Sequence, residues 1–316
     1  MPTTMRAALL VSGVLVLLAG CASHWERSLA RAAELASARG FRPAVFDAGG
    51  YLLTGFHNQG RSDDLMIYIQ GDGRPYLARD TISPNPTPGY PVALMLAMAD
   101  PAPNVLYLAR PCQFAGRSDP VGWRECAPLD WTLGRYGVRM IEAMNAALDQ
   151  ARQRFGVRRL HLVGHSGGGA MAALLAAERA DVASLITVAA NLDHVAWTRH
   201  HNVSPLRHSL NPADVAALLR ELPQIHFRGS RDSQVPSATT EGFFQALGEA
   251  PCLKVVDADD MGHGRDWIAM WRERLRLRGA LACFPDPETN QTACSFAPCR
   301  LYHGTIVHHL DDIHHD

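Results

Sequence analysis

The stretch LHLVGHSGGGAMAA, residues 160–173, restricts the fold of this 316-residue chain more than any other segment. An apolar run enters Gly164-His165-Ser166-Gly167-Gly168-Gly169, and an alanine-rich segment continues to about residue 179. Apolar residues without polar alternation read as a strand buried on both faces, and the Ala/Leu-rich continuation reads as the helix that follows it. Strand, tight turn and helix in that order form half of a parallel βαβ unit. The bland reading is a glycine-rich turn; the other is that the turn exists to hold Ser166 up as a nucleophile.

The same alternation runs along the chain. AVFDA (44–48) and YLLTGFH (51–57), joined through Gly49-Gly50, read as a β-hairpin. LMIYIQ (65–70), NVLYLAR (104–110), LHLVGH (160–165), SLITVAAN (184–191), QIHFRG (224–229) and LKVVDA (253–258) read as buried strands. Val138, Ile141, Met144, Leu148, Ala151 and Phe155 recur three or four apart, which predicts one apolar helix face. Residues 213–222 and 239–248 are shorter helix candidates. The expectation is an α/β fold: a mostly parallel twisted sheet of about eight strands, helices on both faces, one domain over 41–282. An apolar content of 47% and a charged content of 19% suit a large core. The net charge is -1 and no Lys/Arg run exceeds a pair, which gives no support for nucleic-acid binding. The segment 111–131 is long for a βα connection and is expected to be functional and stapled. Residues 191–211 are a candidate small cap over the carboxyl edge of the sheet.

Open parallel sheets build their sites beyond the carboxyl ends of the strands. Gly164-His165-Ser166-Gly167-Gly168 is a G-x-S-x-G elbow, whose serine needs small neighbours two positions away. The helix starting after Ser166 aims its positive end at the reacting centre, where an oxyanion develops. A serine needs a base, and the base needs a carboxylate to orient it. After strand 224–229 comes GSRDSQVP with Asp232, and after 253–258 comes DDMGHGRDW with His263 between two glycines. Rival acids are Asp193 and Asp257; rival histidines are His194, His200, His201 and His208. His165 is expected to pack beside the site.

Three strand ends thus deliver Ser, Asp and His in the chain order of the α/β-hydrolase superfamily, which the chain resembles over about residues 41–280. The resemblance implies acyl-transfer hydrolysis by Ser166, Asp232 and His263, with no metal and no organic cofactor. An ester is the first substrate class, amides and peptides the second; a catalytically inactive binding protein on the same scaffold is a third reading. One oxyanion donor is expected to be the Gly167 amide. The other is the Asp72 amide in Gln70-Gly71-Asp72-Gly73, similar to the H-G-x-G loop of esterases with Gln70 where histidine is common. A carboxylate there opposes an anion unless it points away, and Arg74 or Arg110 are possible partners. GDG…PTP, LARPCQ, DWT and NLDHVAWT…SLNP look like a group of exported bacterial α/β-hydrolases. Trp197, Trp131 and Tyr90 either line a substrate pocket or pack in the body.

The first residues read as export. Arg6 precedes the apolar stretch 7–20, which is short for a membrane span. Leu18-Ala19-Gly20-Cys21 resembles a bacterial lipobox, which implies a signal peptide over 1–20, a lipidated Cys21, a linker over 21–40 and anchoring to a membrane of the cell envelope, the outer membrane first. An ordinary secretory signal is the alternative. Cys112, Cys126, Cys252, Cys283, Cys294 and Cys299 then form an even set in an oxidising compartment, expected to be disulfides. The local pair Cys112–Cys126 is the first choice, and the other four are expected to pair among themselves. Residues 283–316 form a Cys/His-containing tail with His303, His308, His309, His314 and His315; a zinc-handling role is the alternative, without C-x-x-C spacing to support it.

Overall fold

Strand β3 (Asp64–Ile69) shows how the sheet is buried: Leu65, Ile67 and Ile69 pack in one layer, Met66 and Tyr68 in the other. With side chains alternating across the pleat, burial of both sets demands helices on both faces. The computed structural model describes residues 23–116 and 123–280 and has that architecture. Besides β3, the sheet contains β1 (Arg42–Ala48), β2 (Tyr51–Asn58), β6 (Val105–Leu108), β7 (Arg159–His165), β8 (Val182–Val188), β9 (Gln224–Gly229) and β10 (Leu253–Ala258). Their spatial order is β1-β2-β6-β3-β7-β8-β9-β10. β2 runs antiparallel to both neighbours; every pairing from β6 to β10 is parallel. Gly49 and Gly50 close the β1–β2 hairpin at φ +62° and +97°, a two-residue turn that favours glycine at both positions. A separate two-stranded ribbon, β4 (Tyr76–Ala78) and β5 (Thr81–Ile82), lies in a segment for which the sequence predicted no strand.

One face is covered chiefly by helices α3 (Val138–Phe155), α4 (Gly167–Glu178) and α7 (Glu241–Leu247). On α3, Ile141, Met144, Leu148, Ala151 and Phe155 are buried as their spacing predicts, while Val138 stays exposed at the first turn. The other face carries α1 (His24–Ser37), α2 (Val92–Ala99) and α8 (Asp266–Ala280). Trp267 and Trp271 of α8 are fully buried, and truncating either to alanine would cost about 3–5 kcal/mol. Helix α5 (His194–His200) lies in the expected cap region, and α6 (Pro212–Val215) continues into a 3₁₀ turn where the sequence predicted a single helix over 213–222.

The expected linker over 21–40 is replaced by α1. Ser23 accepts from the Glu26 amide and the Glu26 carboxylate accepts from the Ser23 amide, a capping box in the S-x-x-E pattern of Ser23-His24-Trp25-Glu26. Ala32 and Ala36 then bury against the sheet layer. Cys112 and Cys126 are disulfide-bonded with a Cα–Cα distance of 5.7 Å, and Cys252 is disulfide-bonded as well. Residues 1–20, Cys21, Cys283, Cys294, Cys299 and the histidine tail lie outside the described residues. Among the described residues no helix is long and apolar enough to cross a membrane.

Candidate active site

Ser166 stands between β7 and α4 at φ +56° and ψ -127°, a backbone conformation that L-residues rarely adopt and that costs about 1–3 kcal/mol. Its surroundings hold it there. The Ser166 amide donates to the Val188 carbonyl at 3.0 Å, and the Ser166 carbonyl accepts from the Gly169 amide at 2.9 Å. The glycines are matters of space. A Cβ on Gly164 would collide with the Gly168 carbonyl and the Gly169 Cα; one on Gly168 would strike the Ile69 carbonyl. Gly169, to which the elbow pattern assigns nothing, lies where a Cβ would meet that of Ala190, so it sets how closely α4 approaches the end of β8.

The three residues from separate strand ends converge. His263 Nε2 lies 2.9 Å from Ser166 Oγ, and His263 Nδ1 lies 2.8 Å from Asp232 Oδ2. Asp232 is buried, and its second oxygen accepts the amides of Gln234 at 2.9 Å and Val235 at 2.8 Å. Those bonds satisfy the carboxylate and leave Oδ2 for the imidazole. With Nδ1–H committed to Asp232, Nε2 is the free base facing the hydroxyl. The rivals have other duties: Asp193 caps α5 through the Val195 and Ala196 amides, and Asp257 pairs with Arg228 at 2.7 Å. His194 is buried against the Tyr136 ring, His201 bonds to the Gln234 carbonyl, and His200 and His208 are exposed.

His165 does more than pack. Its Nε2 donates to the His263 carbonyl at 2.7 Å, which ties the histidine-bearing loop to the elbow. Burial, with the nearby His263, pulls its pKa down to about 4, so the ring is neutral at ordinary pH.

The Asp72 carboxylate does not face the serine hydroxyl as an unpaired anion. It is bound to Arg110 Nη1 at 2.5 Å and Arg135 Nη1 at 2.8 Å, and it accepts from the Tyr136 hydroxyl at 3.0 Å. Burial alone would raise its pKa, but the two guanidinium groups outweigh that and hold it below the usual carboxylate range. Burial and the Asp72 charge together drive Tyr136 far above the usual phenol range, so it remains a donor. Of the two arginines proposed as partners, Arg110 is one. Arg74 is exposed, and its amide bonds instead to the Pro86 carbonyl. Arg135 and Tyr136 escaped the sequence reading; the only signal was the unexplained RYG after the DWT motif. A Cβ on Gly167 would collide with the Asp72 carboxylate and approach the Tyr136 hydroxyl, so this glycine admits the ion cluster beside the elbow.

Residues 109–209 match the family described as alpha/beta hydrolase fold. No curated protein is significantly similar to the chain in sequence. Among solved structures, an esterase of Pyrococcus furiosus superposes with a TM-score of 0.54 at 14% identity, covering 76% of this chain and 92% of that one. The protein TT1662 of Thermus thermophilus superposes with a TM-score of 0.51 at 18% identity, covering 76% and 97%. The acylaminoacyl peptidase of Pyrococcus horikoshii gives a TM-score of 0.54 at 13% identity, covering 75% of this chain and 39% of that one. The chain has the α/β-hydrolase fold.

On this α/β-hydrolase scaffold the serine opens into a cleft of about 910 Å³. Its floor is the elbow with Gly71, Asp72 and His263, and its walls are the β4–β5 ribbon and the cap. Leu77 and Ile82 of the ribbon and Val203 of the cap are exposed apolar residues lining it, and Arg79 of the ribbon tip donates to the Asn202 carbonyl of the cap at 3.0 Å. Trp197 and Tyr90 line the cleft as well. Trp131 does not: it is buried below, its indole N–H donating to the Ser83 carbonyl. Among the described residues no group of three or more His, Cys, Asp or Glu is placed to hold a metal ion.

Proposed function

We propose that this chain is a serine hydrolase that cleaves a carboxylic ester through an acyl-enzyme. The observation that carries the proposal is the hydrogen-bonded relay Asp232–His263–Ser166, with the serine in a strained conformation at a strand end. Ser166 Oγ attacks the carbonyl carbon while its proton passes to His263 Nε2. The imidazolium is stabilised by Asp232 and then protonates the leaving alkoxide. Water, activated by the same imidazole, attacks the acyl-enzyme and frees the acid. The amides of Gly167 and Asp72 receive the negative charge on the carbonyl oxygen. The apolar residues Leu77, Ile82, Val203 and Trp197 along the cleft support an acyl or alkyl group with hydrophobic surface as the cargo.

A fluorophosphonate probe tests the mechanism: one label per chain is expected on the folded protein and none on Ser166→Ala. Persistence of label in that variant would remove the assignment. A panel of nitrophenyl esters of increasing acyl length, run beside one peptide anilide, separates esterase from peptidase; faster turnover of the anilide would reassign the chain to the second class. We further propose that the protein is anchored to the bacterial cell envelope through acylated Cys21, with the lipobox-like Leu18-Ala19-Gly20-Cys21 as its support. Metabolic labelling with a palmitate analogue is expected to mark the wild-type chain and not Cys21→Ser.

A further inference from the structure

The segment Leu108-Ala109-Arg110-Pro111-Cys112-Gln113 has no part in the hydrolytic relay, yet its polar side chains turn toward the loop after β3. Arg110 grips the Asp72 carboxylate. Gln113, only 2% exposed, donates from Nε2 to the Gly71 carbonyl at 2.8 Å and accepts the Arg110 amide on Oε1 at 3.1 Å. The Gly71 carbonyl and the Asp72 N–H belong to one peptide unit, and no peptide bond among the described residues is cis. In a trans peptide these two groups point in opposite directions. A carbonyl held against Gln113 therefore turns the Asp72 N–H away from it, on a peptide that lines the cleft with Ser166. The Gly71 backbone lies against the serine, since a Cβ there would stand 3.2 Å from that of Ser166.

Gln113 is itself held on both sides. Cys112 and Phe114 take the left-handed conformation at φ +69° and +56°, costly for residues other than glycine. Cys112 is tied to Cys126, and the Phe114 amide donates to Thr87 Oγ1 at 2.7 Å. Segments GDG, PTP and LARPCQ, far apart in sequence, thus meet around one peptide.

We propose that Gln113 is a positioning residue that sets the orientation of the Gly71–Asp72 peptide so that its N–H receives the oxyanion, and that the Cys112–Cys126 disulfide keeps Gln113 in place. This rests on the hydrolase reading above. Gln113→Glu keeps the shape and the acceptor but sets a carboxylate oxygen against the Gly71 carbonyl; Gln113→Met keeps the volume and removes both bonds. Deleting an oxyanion donor outright costs about 10²–10³-fold in kcat. Misorienting one is expected to lower kcat on a nitrophenyl ester by about 10- to 100-fold, with KM changed less than about three-fold. Affinity for a trifluoromethyl ketone, whose adduct places an oxyanion in the site, is expected to weaken in step with kcat/KM. A merely structural tie would move melting temperature and KM but not this parallel. Cys112→Ala/Cys126→Ala, which leaves Gln113 intact, is expected to show a smaller loss of the same kind; it supplies the test if the Gln113 variants do not fold. Turnover within three-fold of wild type in folded Gln113 variants, or in the disulfide variant where these fail to fold, would overturn the proposal and leave the hydrolase reading standing. A wild-type protein that neither turns over esters nor takes label on Ser166 would overturn both.

Discussion

Replacing Asp72 by asparagine keeps its size and its backbone N–H but removes the charge on which two buried cations depend. Arg110 and Arg135 side chains are only 5% and 6% exposed, and each contacts its own oxygen of Asp72. Breaking one buried ion pair costs about 3–5 kcal/mol, because the surviving ion remains desolvated without compensation. Here two cations lose their partner together, while the amide oxygen still accepts one bond, so a loss of about 4 kcal/mol is expected. For a domain of this size each kcal/mol lowers Tm by about 2–4 °C, which gives a drop of roughly 8–16 °C. Calorimetry at neutral pH measures it. The sign of the pH dependence follows from the depressed pKa of Asp72. Its stabilisation is fully present above the carboxylate range of the unfolded chain and fades as pH falls through the lower folded value. The gap between wild type and variant is therefore expected to be constant from pH 6 to 8 and to narrow under strong acid. Arg135→Met on the Asp72→Asn background, which removes one stranded cation, is expected to recover part of the loss. A variant that melts within a degree of wild type, or a gap that does not respond to acid, would refute the claim that the two buried guanidinium groups depend on the Asp72 charge.

Asp232→Asn is expected to lower kcat by about 10⁴-fold with little change in melting, since the amide pairs with the wrong imidazole tautomer; single-turnover kinetics would read it, and a loss below ten-fold would count against Asp232 as the orienting acid. Gly169→Ala drives a methyl group into Ala190 and is expected to cost about 1–3 kcal/mol in urea denaturation, with Ala190→Gly restoring most of it. His165 stays neutral in the fold down to about pH 4, whereas the unfolded chain protonates near 6.5. Folding is thus weakened as pH falls from about 6.5 to 4, by something of the order of 3 kcal/mol from this residue. Buried His226, whose pKa is pulled down to about 3 by burial and Arg228, adds in the same direction. Urea midpoints at pH 7 and 4.5 are expected to differ less in His165→Asn than in wild type; equal differences would exclude the residue.

The parts of this protein legible in sequence are those with a local cause. Burial on both faces removes polar alternation, so the apolar runs at 65–70 and 160–165 announce parallel strands, and α3 follows from three-and-four spacing alone. The elbow is legible because crowding forbids a Cβ at Gly164 and Gly168, and the triad because strand ends in a parallel sheet share one edge. Helix α1 has a local cause as well, the capping box of Ser23-His24-Trp25-Glu26, although a linker was expected over 21–40. What the chain could not announce is which distant side chains meet. Asp72 is separated from Arg110 by 38 residues and from Arg135 by 63, and Gly71 from Gln113 by 42. No periodicity links such positions; only the closing of the sheet brings them within hydrogen-bond reach. So sequence determined the layers and the serine, histidine and aspartate that meet at the strand ends, through patterns that each residue's immediate neighbours enforce. The tertiary structure alone decided where the Asp72 charge went and what holds the peptide beside the serine, since ion pairs and single hydrogen bonds exist only once the chain is folded.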